Sequence, residues 1–318
     1  MIAERVFLKN GQVRPIWRCF LAAVLILFAR YGVGVILALI LGALDHRPSK
    51  ILLLCISSLL LFPALLGVFK LLTASLEEKP LGSAGLAFLS GWKSDLGLGL
   101  IVGAAMILAV GGVEASFGLV EFGWAGGSAE RFVTWGASLF VVMAVAAANE
   151  EMIFRGYPFQ RLVDAVGPVT AVVLSSMLFG LVHLSNPSVT WISTLNTALV
   201  GVPLAVAYLR TRMLWLPIGI HFAWNFIQGF ALGLPVSGIV VPTSLLGTNP
   251  RGADWLTGGA YGPEGGFLAT AVVLGVTAYL LFSRSIYVRE DTKNLVFGAA
   301  PPSPEAGGSA LFSLTSVK

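Results

Sequence analysis

Charge is what this chain has least of. Only 11% of its 318 residues are Asp, Glu, Lys or Arg, against roughly 25% in a soluble domain, and mean hydropathy is +0.86. An ordinary water-soluble enzyme is therefore excluded. Cysteine is nearly absent: Cys19 and Cys55 both lie in apolar segments with no C-x-x-C pair, which leaves no disulfide framework and suits packing roles. There are three histidines and no H-E-x-x-H, so no helix carries a ready-made pair of zinc ligands. No glycine-rich phosphate-binding loop is present. The net charge of +4 and pI of 9.2 come without a basic cluster, so no nucleic-acid partner is expected.

What the chain does have is long apolar runs. A membrane-crossing helix needs about 20 such residues. On that criterion spans fall at 17–44, 51–72, 96–119, 132–154, 168–186, 188–209, 213–232 and 265–283. The expected fold is all-α, a polytopic membrane protein of about eight helices with a core of helices four to seven and the lipid bilayer as its partner. If the amino terminus is cytoplasmic, only Arg47, Lys50, Arg131 and Arg251 fall in outer loops and Arg30 within the first span. The other fifteen of 20 Lys and Arg are inside, so both termini are expected to be cytoplasmic, in the plasma membrane if the source is bacterial. The first span is too long for a signal h-region and should act as an uncleaved anchor.

The expected organisation is an amino-terminal region of about three spans (1–131), a core (132–232), a Gly- and Pro-rich outer loop (233–264), a last span (265–283) and a disordered cytoplasmic tail (284–318). The outer loop is read as solvated rather than as a folded lid. The segment around Glu77, Glu78 and Lys79 is read as surface.

Chemistry concentrates in the core. Glu150 and Glu151 end an apolar run, and His183 and His221 sit in later ones. An ionisable group at bilayer depth costs roughly 2.5–3.5 kcal/mol, so such groups usually have a partner or a job. Adjacent helical residues point about 100° apart, so the two glutamates are not expected to face the same neighbour. Arg155, four residues after Glu151, stands at ion-pair spacing. That makes Glu151 the structural member and leaves Glu150 as a candidate general base. Gly167-Pro168 breaks the fourth helix from the fifth. Glu150 precedes it and His183 follows it by similar distances, so an antiparallel hairpin brings them to one height. Asn225 is one turn beyond His221, on the same face. The four should line one cavity, opening on the cytoplasmic side.

These residues also carry a resemblance. Glu150-Glu151-Met-Ile-Phe-Arg155 resembles the E-E-x-x-x-R motif of the CAAX protease and bacteriocin-processing (CPBP) family of intramembrane proteases. Phe179-Gly-Leu-Val-His183 is similar to its F-x-x-x-H motif, and His221-Phe-Ala-Trp-Asn225 to its H-x-x-x-N/D motif. The resemblance covers roughly 132–230. It implies hydrolysis of a peptide bond in a membrane-associated peptide or protein substrate. The best-known members, type II CAAX prenyl endopeptidases, remove the last three residues of prenylated proteins; others process bacteriocins or confer immunity to them.

Two chemistries fit. In the metal-free one, favoured here, Glu150 and His183 polarise a water while His221 and Asn225 stabilise the oxyanion; Glu151 completes the catalytic set, with Arg155 and Phe179 in support. In the other, Glu150, His183 and His221 hold a zinc whose bound water attacks, as in a metalloprotease. A non-catalytic immunity or transport protein is the alternative class.

Overall fold

The computed structural model describes residues 6–9, 11–43 and 48–297. A small hairpin of β1 (Leu8–Lys9) and β2 (Gln12–Val13) precedes α1 (Pro15–Ala43) and α2 (Lys50–Glu77). The chain continues through α3 (Trp92–Ser116), β3 (Val120–Trp124), α4 (Ala129–Arg155), α5 (Tyr157–Val166), α6 (Pro168–Val182), α7 (Trp191–Thr211) and α8 (Trp215–Phe226). A π-helical turn over Ile227–Ala231 extends α8. Then come β4 (Leu246–Pro250), α9 (Phe267–Phe282) and α10 (Glu290–Phe297). The helix starts follow local chemistry. Ser49 and Ser128 hydroxyls accept from the amides of Leu52 and Arg131, Thr190 and Ser193 form a capping box on α7, and Pro168 stands at the first turn of α6.

Among the described residues six helical segments are long and apolar enough to cross a membrane: α1, α2, α3, α4 running on through α5, α6 running on to Ser185, and α7. The protein is thus an all-α, multi-pass membrane protein. The two remaining expected spans are shorter, α9 having 16 residues and α8 having 12 before its π turn. Aromatic residues mark both ends. Phe88, Trp92 and Trp215 cluster at the end that carries the termini. Exposed Trp124, Trp191 and Trp255 lie at the other, the loop end, as expected of rings placed at two membrane–water interfaces.

Helix α3 packs closely against α8. Gly99 and Gly103, four apart on α3, let the α8 backbone come in: a Cβ at Gly103 would lie 2.2 Å from the Ile220 carbonyl oxygen, and one at Gly99 2.4 Å from that of Leu216. Small residues spaced by four do this in membranes because helices there gain from close packing rather than from expelling water. Ile220 therefore packs at the middle of α3, which sets the depth of His221 beside it.

Three expectations are corrected. Glu77 is not a surface group: its side chain is buried, 3.0 Å from Arg161 on α5 and 3.5 Å from Arg18 on α1, and ties the termini end together. Within the expected tail, α10 is ordered and docked, with Lys79 Nζ donating to the Val296 carbonyl (2.5 Å) and Arg289 paired with Asp95 (2.6 Å); the rest of the expected disordered tail, 298–318, lies outside the described residues. The outer loop is folded. Its β4 pairs antiparallel with β3, Val120 opposite Pro250, and Tyr261, Pro263, Glu264 and Gly265 are buried. Glycine density there serves tight turns, since Gly238 (φ 84) and Gly262 (φ 100) occupy the left-handed region while packed against the carbonyls of Pro187 and Pro235.

Candidate active site

Three helices supply the polar groups. α4 brings Glu150, Glu151 and Arg155; α6 ends at His183, with Phe179 one turn before it; α8 carries His221 and Asn225. Hairpin α5–α6 folds back at Gly167 (φ 81), and α6 returns along α4 far enough for Phe179 to meet Phe154 edge-to-face at 5.0 Å. Glu150 and His183 accordingly come level, as their spacing from the turn predicts.

Glu150 Oε2 lies 3.9 Å from His183 Nε2 and 3.7 Å from His221 Nε2. Its carboxylate is 36% exposed, yet Oε2 itself is buried and makes no hydrogen bond within the protein. The other ring nitrogens are fixed. His183 Nδ1 donates to the Phe179 carbonyl oxygen at 2.6 Å, and His221 Nδ1 donates to Glu151 Oε1 at 2.8 Å. A carbonyl and an ionised carboxylate can only accept, so each Nδ1 carries a hydrogen and each Nε2 is turned toward Glu150.

Glu151 and Arg155 are wholly buried. Arg155 Nη1 lies 3.1 Å from Glu151 Oε1, and Nη2 donates to the Gly201 carbonyl of α7 at 3.1 Å. The guanidinium also lies 4.5 Å from the centre of the Phe179 ring, a cation–π contact. The predicted Glu151–Arg155 pair is present. The expectation that the two glutamates face different neighbours is corrected: both reach His221, Glu151 at Nδ1 and Glu150 at Nε2. Diverging carboxylates can share an imidazole because its nitrogens lie on opposite edges of the ring.

A cavity of about 280 Å³ is lined by Glu150, Phe179, His183, His221 and Asn225 together with apolar side chains such as Met106 and Leu204. Its walls continue toward the loop end, where Asn186, Thr197, Ser237 and Glu264 complete them. The sequence placed its opening at the termini end; the lining extends the other way.

The donor set of a zinc site is present in kind: two imidazole nitrogens and a carboxylate oxygen. Its spacing is too wide. Tetrahedral zinc with bonds of about 2.0–2.1 Å needs ligand atoms about 3.3 Å apart, against 3.7 and 3.9 Å here. Among the described residues no group of three or more His, Cys, Asp or Glu side chains is disposed to hold a metal ion.

With this geometry in view, one comparison with known proteins bears on the site. Residues 132–227 match the family described as type II CAAX prenyl endopeptidase Rce1-like. That stretch is therefore similar to the CAAX protease family. No curated protein and no solved structure matches the chain. The matched stretch begins inside α4 and ends just past α8, so it holds Glu150, Glu151, Arg155, Phe179, His183, His221 and Asn225. Outside it lie α1–α3, the folded loop and α9.

Sequence reasoning missed what these outer parts add. Met106 of α3 lines the cavity, and the spacing of Gly99 and Gly103 was the available signal that α3 packs on the core. Glu264 and Ser237 were missed because a Gly-rich loop reads as solvent-exposed; the acidic residue inside the Gly-Pro-Glu-Gly-Gly run was the available hint.

Proposed function

We propose that the protein is an intramembrane endopeptidase that hydrolyses a peptide bond of a membrane-associated substrate, with a water activated by Glu150. The observation that carries this reading is the convergence on Glu150 Oε2, buried and unpaired, of two imidazole Nε2 atoms at 3.7 and 3.9 Å. At those separations neither imidazole is directly hydrogen-bonded to the carboxylate, whose side chain is 36% exposed and lines the cavity, open to a water there.

Glu150 takes a proton from that water, polarised by His183, as it attacks the scissile carbonyl carbon. The carbonyl oxygen gains the negative charge. The Asn225 amide and, when protonated, His221 Nε2 donate to it, the imidazolium being stabilised by Glu151 at Nδ1. The proton held by Glu150 then passes to the amine nitrogen as the carbon–nitrogen bond breaks, giving a carboxylic acid and an amine, and the carboxylate of Glu150 is restored. Arg155 limits the charge on Glu151 so that it orients His221 without acting as a second base. The spacing of the donor set does not suit zinc, so no step is assigned to a metal.

The apolar walls and the level of His221 against mid-α3 support a substrate segment that enters from the bilayer. Comparing membrane peptides from cells with wild-type protein and with Glu150→Gln tests this. A peptide that persists uncut only in the variant is the expected result; identical peptide patterns would remove the reading.

A further inference from the structure

The loop end of the cavity holds a carboxylate that the hydrolytic steps do not use. Glu264 is 6% exposed and sits in the turn that leads into α9. Its position is built rather than incidental. Asn196 of α7 donates through Nδ2 to the backbone carbonyls of Glu264 and Gly266, both at 2.9 Å, and its Oδ1 accepts from Thr270 at 2.6 Å. Glu264 Oε2 accepts from Gln228 Nε2 at 2.7 Å, and Oε1 from the Ser237 hydroxyl at 3.4 Å. Both Glu264 and Ser237 line the cavity that contains Glu150.

These partners are neutral donors. A carboxylate taken out of water normally needs an opposite charge, and among the described residues no Lys, Arg or His is paired with Glu264. Tyr261, which feels the charge of Glu264, stays uncharged because burial pushes its phenol up. Burial also pushes the Glu264 carboxyl up to about 7, a measure of how poorly the neutral donors replace water. A cation arriving through the cavity would complete the pair.

We propose that Glu264 and Ser237 form a substrate subsite for a lysine or arginine side chain. This rests on the proteolytic reading of the same cavity and names the substrate class it selects. Helical rise gives the approximate position. Gln228, which holds Glu264, is seven residues beyond His221, about 10 Å along a helix. An extended peptide covers that in about three residues. The favoured substrate is therefore apolar around the cleaved bond, with a basic residue about three positions away.

The test is binding, which does not require cleavage. In a Glu150→Gln background, labelled membrane-anchored peptides carrying Lys, norleucine or Glu at successive positions are titrated into the protein in lipid nanodiscs. The expected result is a Lys preference over norleucine of at least about tenfold, confined to one or two adjacent positions, with Glu weakest. Adding Glu264→Gln should bring the Lys-to-norleucine ratio to near one, and Ser237→Ala should reduce it in part. A purely structural role for Glu264 would change all peptides alike. Equal binding of Lys, norleucine and Glu peptides, or a ratio unchanged by Glu264→Gln, overturns the proposal. If Glu264→Gln does not fold, the comparison of peptides on intact Glu264 still decides. Lys preference without cleavage by the parent protein would sink only the proteolytic reading; cleavage without preference would sink only the subsite.

Discussion

Glu151 Oε1 lies 2.8 Å from His221 Nδ1, so the motif's second glutamate, also bound by Arg155, orients the histidine whose other nitrogen faces the first. One fixes the imidazole and the other is left to act on water. Removing Arg155 would strand a buried carboxylate, which costs about 3–5 kcal/mol when a buried pair loses one partner. Arg155→Ala should therefore melt far below the wild type in detergent. Glu150→Gln should melt close to it and be inactive. A large stability loss in Glu150→Gln with none in Arg155→Ala would reverse these roles.

The oxyanion assignment makes a graded prediction. Asn225→Ala and His221→Ala should each lower turnover by about 10²–10³-fold, the usual loss for one such donor, and leave measurable activity because Glu150 and His183 remain. Turnover should survive exhaustive dialysis against a chelator. Stoichiometric zinc lost and regained together with activity would contradict the metal-free chemistry, and so would complete inactivity of His221→Ala.

The depth of His221 depends on a glycine. A methyl group at Gly103 would meet the Ile220 carbonyl oxygen at 2.2 Å, so Gly103→Ala must push α8 away from α3. Overpacking of this kind costs about 1–3 kcal/mol and moves His221 relative to Glu150. The expected outcome is a lower melting temperature with a disproportionate fall in kcat, whereas Gly112→Ala, on the same helix with open space around it, should leave both near wild type. Equal effects of the two would contradict the packing argument.

How legible was this in the sequence? The membrane class, the Glu151–Arg155 pair and the level meeting of Glu150 with His183 follow from composition, the helical repeat and a Gly-Pro turn, all local rules. The sharing of His221 between both glutamates was not legible, because it depends on how α8 approaches α4, a tertiary matter. Glu77 and the 233–264 loop were misread for a related reason: charge and glycine usually mark surface, yet here Arg18 and Arg161 neutralise the one and β3, Asn196 and Gln228 organise the other.

Glu264 supplies a pH signature outside the hydrolytic groups. Its carboxyl is raised from 4.5 to about 7, so the folded protein binds a proton that the unfolded chain releases between those values. The stabilisation is full below about 4.5, is lost as pH rises to about 7 and is flat above, for a total of roughly 3 kcal/mol. Relative to Glu264→Gln, which cannot titrate, the wild-type melting temperature should fall across that window. A wild-type-minus-variant difference independent of pH would show that the carboxylate is not held as described.

On the proposed reading, Glu150 activates water to cut a peptide bond in the membrane. The direct measurement is mass spectrometry of membrane-anchored peptides incubated with purified, chelator-treated protein in lipid vesicles, with Glu150→Gln alongside. New carboxyl and amino termini at one bond, formed by the wild type and not by the folded variant, are the predicted result; cleavage that persists in Glu150→Gln, or that appears only when zinc is restored, would contradict it.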